Sequence, residues 1–164
     1  MNLDEFDLKD LLLTALKSEI DSKNIYGALS KKIKNYLLKD KLEFLVKEEE
    51  KHRKFIEEIY LNHYPNEKII IPDKTVAPLP EININSEDTP LSNILKSAME
   101  AEKAANEFYN KLSSRFEDDT KIKTMLMYFA DMEMGHYKLL EVEKESMERF
   151  EEADVYWPMV HAGP

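Results

Sequence analysis

Two segments of this 164-residue chain carry the same short pattern: Glu49-Glu50-Lys51-His52 and Glu133-Met134-Gly135-His136 both read Glu-x-x-His. On a helix the first and fourth residues share a face, so one carboxylate and one imidazole reach a common point. Both copies fall inside apolar stripes, where acids and imidazoles do not normally belong. A lone glutamate in a similar setting precedes each copy, Glu19 by 30 residues and Glu102 by 31. Six such side chains from four helices could hold two divalent metal ions, with four carboxylates balancing the charge of two ions. In this reading Glu49 and Glu133 bridge the ions. Glu19 with His52, and Glu102 with His136, each hold one ion as terminal ligands. Mixed oxygen and nitrogen donors suit two Fe ions, with Mn or Zn as alternatives.

The plainer reading is a set of solvated helix residues, since Lys and Glu are common here and one Glu-x-x-His alone is weak. Duplication weighs against it. So does charge: four buried, unmatched carboxylates are too unfavourable without counter-charges, and few lysines or arginines share those faces.

Four helices must position these residues. The first runs from Leu8, with Asp7 as N-cap and Asp10 in an acidic first turn, to near Asn35. Its stripe is Leu8, Leu11, Leu12, Ala15, Glu19, Ser22, Tyr26, Leu29 and Ile33. The second covers about residues 38–63, with Leu42, Leu45, Glu49, His52, Ile56 and Ile59 inward and Glu48, Glu50, Lys51, Arg53 and Lys54 on wetter faces. Thr89 then Pro90 reads as N-cap and first position of the third helix, whose inner face is Ile94, Ala98, Glu102, Ala105, Tyr109, Leu112 and Phe116. Asp118 or Asp119 caps the fourth, which carries Ile122, Leu126, Phe129, Glu133, His136 and Leu140 and runs to about Phe150.

Helical rise tests whether the six residues can meet. With a turn near residue 35, Glu19 and Glu49 both lie about 21–24 Å from it at 1.5 Å per residue. With a second turn near residue 118, Glu102 and Glu133 match in the same way. An antiparallel arrangement therefore places all six in one layer.

Between the halves, Pro65, Pro72, Pro78 and Pro80 exclude one continuous helix over residues 64–89. The Ile69-Ile70-Ile71 run fits an extended piece packed on the bundle or on another subunit. A connection this long needs a reason, and a long crossover between helix pairs supplies one. The domain is expected to span residues 1–153, with 154–164, including Trp157 and Pro158, leaving the helix as a tail packed on the bundle. His63 and His161 read as surface or tail residues. The methionines of the second half (Met99, Met125, Met127, Met132, Met134) read mostly as packing residues.

Composition narrows the function. Apolar residues make up 43% of the chain and Gly only 3 residues, which favours a folded, helical domain. A formal charge of -10 argues against nucleic acid or an anionic membrane as partner. The absence of cysteine excludes a disulfide framework, a thiol nucleophile and thiolate-held metals within these residues. With no basic start leading into an apolar run, and no run long enough to span a membrane, the expected location is cytoplasmic. Leu13, Leu16, Ile25 and Leu95 read as outward apolar residues that a homodimer would cover.

The halves also share Ala-x3-Glu-x6-Tyr, as Ala15, Glu19, Tyr26 and as Ala98, Glu102, Tyr109. The tyrosines share the inner face and could donate to carboxylate ligands or serve electron transfer, against a plain role as core aromatics. Together with the two Glu-x-x-His copies, this repeat resembles the rubrerythrin-like branch of the ferritin-like superfamily over residues 8–150. The resemblance implies an all-α, ferritin-like four-helix bundle with a long crossover between helices 2 and 3. It also implies a carboxylate-bridged di-iron centre, an assembly of two or more chains, and reduction of hydrogen peroxide with electrons from a rubredoxin-type centre. Its ligands would be Glu19, Glu49, His52, Glu102, Glu133 and His136. Two departures stand out. The chain lacks the cysteines of a rubredoxin domain, so electrons must come from a separate donor, a rubredoxin-like protein or a small reductant. The family's extra glutamate, three residues before the third-helix ligand, is here Met99, and the neighbouring Glu100 points about 100° away. The leading function is a di-iron oxidoreductase reducing peroxide or dioxygen. Ferrous iron oxidation and storage, a structural metal-binding bundle, and oxidation of an organic substrate are the alternatives.

Overall fold

The computed structural model describes residues 3–77, 79–80, 82 and 89–156, with side chains described to residue 151. Four α-helices dominate: α1 (Leu8–Lys32), α2 (Tyr36–His63), α3 (Leu91–Ser113) and α4 (Thr120–Tyr156), with a short 3₁₀ turn (Ser114–Phe116) before α4. The helices form a four-helix bundle with a long α2-to-α3 crossover, a ferritin-like architecture. Short connections join α1 to α2 and α3 to α4, and these sequential pairs make the most extensive helix contacts.

The helix ends differ from those that local sequence signals predict. The first helix stops at Lys32, not near Asn35, because Ile33 turns extended and Asn35 serves the next helix, its side chain accepting from Leu38 N at 3.2 Å. Asp7 is the N-cap of α1, although its carboxylate makes no capping bond. Thr89 does not cap α3. The helix begins one residue later, with Pro90 as N-cap and no bond from its own side chain. A carboxylate from the far end of the chain serves instead: Glu151 of α4 accepts from Ser92 N at 3.2 Å and from Ser92 Oγ at 2.5 Å. Asp119 caps α4, accepting from Lys121 N and Ile122 N at 3.1 Å. That helix continues through Tyr156, beyond the expected end at Phe150 and past the start of the expected tail at residue 154. No proline falls between Pro90 and Pro158 to interrupt it. Trp157, Pro158 and His161 lie outside the described residues, as does Pro78 of the crossover.

The core has two apolar compartments. One gathers Leu11, Leu12 and Leu16 of α1, Ile56 and Tyr60 of α2, Phe108 and Leu112 of α3, and Leu126 and Phe129 of α4. The other gathers Leu29 of α1, Leu38, Leu42 and Leu45 of α2, Leu95 and Met99 of α3, and Leu140 of α4. Along every helix, a Glu or Glu-x-x-His falls between the residues of one compartment and those of the other. The polar layer therefore divides the core.

The crossover packs on its own chain. Ile69 and Ile71 are partly buried against the first compartment while Ile70 is exposed, the alternation of an extended segment. Ala77 and Ile82 are buried, and Val76 N–H donates to Thr14 Oγ1 of α1 at 3.3 Å. Two of the residues read as outward are accordingly buried within one chain, Leu16 at 1% exposure and Leu95 at 0%. They belong to the two compartments, whereas Leu13 and Ile25 are only partly buried. Glu48, read as solvated, is also buried, its carboxylate held by Lys51 at 2.6 Å. Met127 is exposed, whereas Met99 is buried.

Leu16→Ala and Leu95→Ala should each lower unfolding free energy by about 2–5 kcal/mol, the usual range for truncating a fully buried leucine. Urea denaturation at several protein concentrations checks this. The loss should not depend on concentration, since each residue is covered inside its own chain.

Candidate metal centre

Glu19 of α1, Glu49 and His52 of α2, Glu102 of α3, and Glu133 and His136 of α4 are all buried, none exposed by more than 3%. They form two overlapping groups. Ligand atoms of Glu19, Glu49, His52 and Glu133 lie within 4.8 Å of one another, and so do those of Glu49, Glu102, Glu133 and His136. Glu49 and Glu133 belong to both groups, while the other four residues belong to one each.

The histidines face the carboxylates through Nδ1. His52 Nδ1 is 2.8 Å from Glu133 Oε1, 3.5 Å from Glu19 Oε2 and 3.9 Å from Glu49 Oε2. His136 Nδ1 is 3.0 Å from Glu133 Oε2, 3.3 Å from Glu49 Oε1 and 3.6 Å from Glu102 Oε2. Donor atoms about 2.1 Å from a metal at neighbouring octahedral positions are about 3 Å apart, so this spacing suits a shared ion. Closeness does not mean satisfaction here. Glu19 Oε2, Glu49 Oε1, Glu133 Oε1, both nitrogens of His52 and His136 Nε2 are buried without a hydrogen-bond partner. Buried polar atoms are seldom left so, and each orphan is unfavourable by about 1–3 kcal/mol or more. Carboxylate oxygens and imidazole nitrogens that converge, several of them without a hydrogen-bond partner, fit a pair of divalent cations.

The tyrosines cross the bundle. Tyr26 of α1 donates to Glu102 Oε1 of α3, and Tyr109 of α3 donates to Glu19 Oε1 of α1. Each lone glutamate thus has one oxygen held by a phenol from the opposite half. Burial, then the neighbouring carboxylate, pushes both phenols well above the ordinary tyrosine range, so they remain donors.

Protons substitute for cations in the metal-free site. Burial, then repulsion from Glu133, raises the Glu102 carboxyl to about 8. Burial and repulsion from Glu133, Glu19 and Glu102 also raise Glu49. Burial would lower His52, but the closeness of the Glu133 and Glu19 carboxylates wins and raises it to about 10. His136 is raised in the same way by Glu102, Glu133 and Glu49. Glu133 is held low: burial pushes it up, but the two imidazoles close to its oxygens outweigh that.

Two aromatic neighbours had no signal in the motif. Phe129, legible only as a core residue, lies with its ring centroid 4.2 Å from that of His52. Phe44 meets His136 edge-on at 6.5 Å and is 46% exposed, on the side of α2 away from the stripe. Tyr60 was also missed; it is fully buried with an unpartnered hydroxyl. Met99 sits in the apolar core and Glu100 is exposed, so neither metal-ligand group gains a carboxylate from that turn of α3.

The rubrerythrin family's sequence model matches residues 10–144. The chain belongs to the rubrerythrin family. A hypothetical protein from Pyrococcus furiosus has a similar solved structure, with 32% identity and a TM-score of 0.81, over 91% of this chain and 95% of that one. No protein of curated function matches the chain. The two buried Glu/His clusters have the donor set of a di-iron carboxylate centre, as in rubrerythrin-like oxidoreductases that act on peroxide or dioxygen.

Metal loading must displace the protons that the free site holds. His52, raised to about 10, and Glu102, raised to about 8, are both protonated at neutral pH in the metal-free chain. Adding ferrous ion under anaerobic conditions at pH 7 should therefore release protons to a weakly buffered indicator dye. Affinity should rise between pH 6 and pH 8. A pH-independent affinity with no proton release would contradict this charge arrangement.

Proposed function

We propose that this chain is a peroxide-reducing di-iron oxidoreductase. Glu49 and Glu133 would be shared between two iron ions, with Glu19 and His52 holding one and Glu102 and His136 holding the other. The observation that carries this reading is the sharing of Glu49 and Glu133 between two otherwise separate donor groups, since only a bridging residue needs to face both. Two ferrous ions bound there supply the two electrons that convert hydrogen peroxide and two protons into two waters.

The chain's own residues set the conditions. Burial of all six donors keeps bulk water out and strengthens every charge interaction in the layer. Tyr26 and Tyr109 fix one oxygen of each terminal glutamate, which leaves the other oxygen free to face its ion. Their raised pKa values keep them as hydrogen-bond donors in the chain without metal. Phe129 against His52 holds that imidazole in place on its apolar side.

Electrons come from a separate donor, a rubredoxin-like protein or a small reductant, because no cysteine in these 164 residues can hold a second iron site. The working form is a homodimer. The support for this is the set of large apolar side chains left exposed on α2 and α4, Tyr36, Leu37, Tyr128, Val142 and Phe150 among them. The location is cytoplasmic; no helix among the described residues is long and apolar enough to cross a membrane.

Anaerobically purified protein should carry about two irons per chain, as the paired donor groups require. One equivalent of hydrogen peroxide should oxidise it promptly, with new near-ultraviolet absorption. Peroxide consumption should fall to background in Glu49→Ala and His136→Ala. In Tyr109→Phe, iron binding or turnover should drop by roughly 10–100-fold, the usual effect of removing a hydrogen bond to a ligand. A protein that holds only zinc, or that binds ferrous ion without reacting with peroxide, sinks the redox reading. Size exclusion with light scattering should give twice the chain mass, and Tyr128→Glu combined with Val142→Glu should give the single-chain mass.

A further inference from the structure

A cavity of about 520 Å³ lies between α1, α3 and the crossover, and none of the six metal-site residues lines it. Its origin is readable in the side chains. Ser18 and Ser22 of α1 and Ala101 of α3 are small, so the two helices leave room where larger residues would close the seam. Leu79, Pro80 and Ile82 of the crossover roof that room without filling it. The roof is held in place. Thr75 Oγ1 donates to Ala77 O at 2.7 Å, Val76 N–H donates to Thr14 Oγ1, and Ala77 is completely buried. Voids in a close-packed interior are few and about the size of a water, whereas pockets for small organic ligands run from about 300 to 1,000 Å³.

The charge of the lining is unusual for this chain. Lys17, Lys74 and Asp21 are its ionisable groups. Lys17 Nζ sits 2.7 Å from Asp21 Oδ2, which matches its charge. Among the described residues Lys74 makes no ion pair, and one positive charge remains over the cavity in a protein of net charge -10. Ile25, Leu79 and Ile82 supply the apolar wall. Ser18 and Ala101 are the chain neighbours of Glu19 and Glu102, so an occupant would lie on the outer flank of the two helices that carry the lone glutamates.

We propose that this cavity binds a small amphipathic organic monoanion, with its acid group at Lys74 and its apolar part against Ile25, Leu79 and Ile82. The proposal does not rest on the redox reading, because the binding is measured without turnover and on protein with or without iron.

Anilinonaphthalene sulfonate, a fluorescent amphipathic monoanion, is the probe. Titrated into the full chain, iron-free and iron-loaded, it should show one saturable site per chain in both forms. Lys74→Glu should weaken binding by about tenfold or more. Ser22→Trp, which fills the seam, should abolish it, while circular dichroism and iron content stay unchanged. Phe150→Ala, at an exposed apolar residue elsewhere, should leave it intact. Binding that is unsaturable, that survives both Lys74→Glu and Ser22→Trp, or that disappears with Phe150→Ala overturns the proposal. Should Ser22→Trp fail to fold, the Lys74→Glu comparison on this exposed crossover residue decides alone.

Discussion

Four carboxylates meet in the middle of an apolar bundle, and the rest of the structure answers to that fact. An isolated buried carboxylate is unfavourable by several kcal/mol even after relaxation, so four in one layer must be neutralised. The metal-free chain does this with protons. Glu49 and Glu102 are pushed upward by burial and mutual repulsion, and the two histidines are pushed upward by the acids they face. Several of their oxygens and nitrogens still lack a hydrogen-bond partner. Divalent ions supply the missing charge and also the missing bonds.

The layer needs walls, and the two apolar compartments provide them. Each helix contributes residues on both sides of its own polar position, so the site is clamped by packing along its length. The crossover matters as much as the helices. It ties to α1 through Val76 and adds Ala77 to the core of its own chain. It also leaves a space above the α1–α3 seam, where Ser18, Ser22 and Ala101 are too small to meet.

The internal duplication is faithful in its ligands and loose in their surroundings. Tyr26 and Tyr109 exchange hydrogen bonds across the halves in matching fashion. The imidazoles are treated differently: His52 lies against the buried ring of Phe129, whereas His136 meets the half-exposed ring of Phe44. Glu133 is held low while its counterpart Glu49 is raised, because the two close imidazoles outweigh burial at Glu133, whereas burial and carboxylate repulsion prevail at Glu49. Equivalent positions in the chain are therefore not equivalent chemically.

Sequence alone determined the four helices, the identity of the six polar residues and their common level. These depend on periodicity and helical rise, which are local and regular: Glu19, Glu49, Glu102 and Glu133 could be placed by counting residues from two turns. It did not determine how the helices begin and end. The cap of α3 comes from Glu151, remote in the chain, and no local pattern at Thr89-Pro90 could reveal that. Nor did it determine what covers an apolar residue. Leu16 and Leu95 sit at the edges of their helices' apolar stripes, and only packing across the bundle decides that they are buried. The crossed tyrosine bonds, the aromatic neighbours of the histidines and the cavity beneath the crossover belong to the tertiary structure for the same reason: each is a contact between segments whose separation in the chain carries no information about their distance in space.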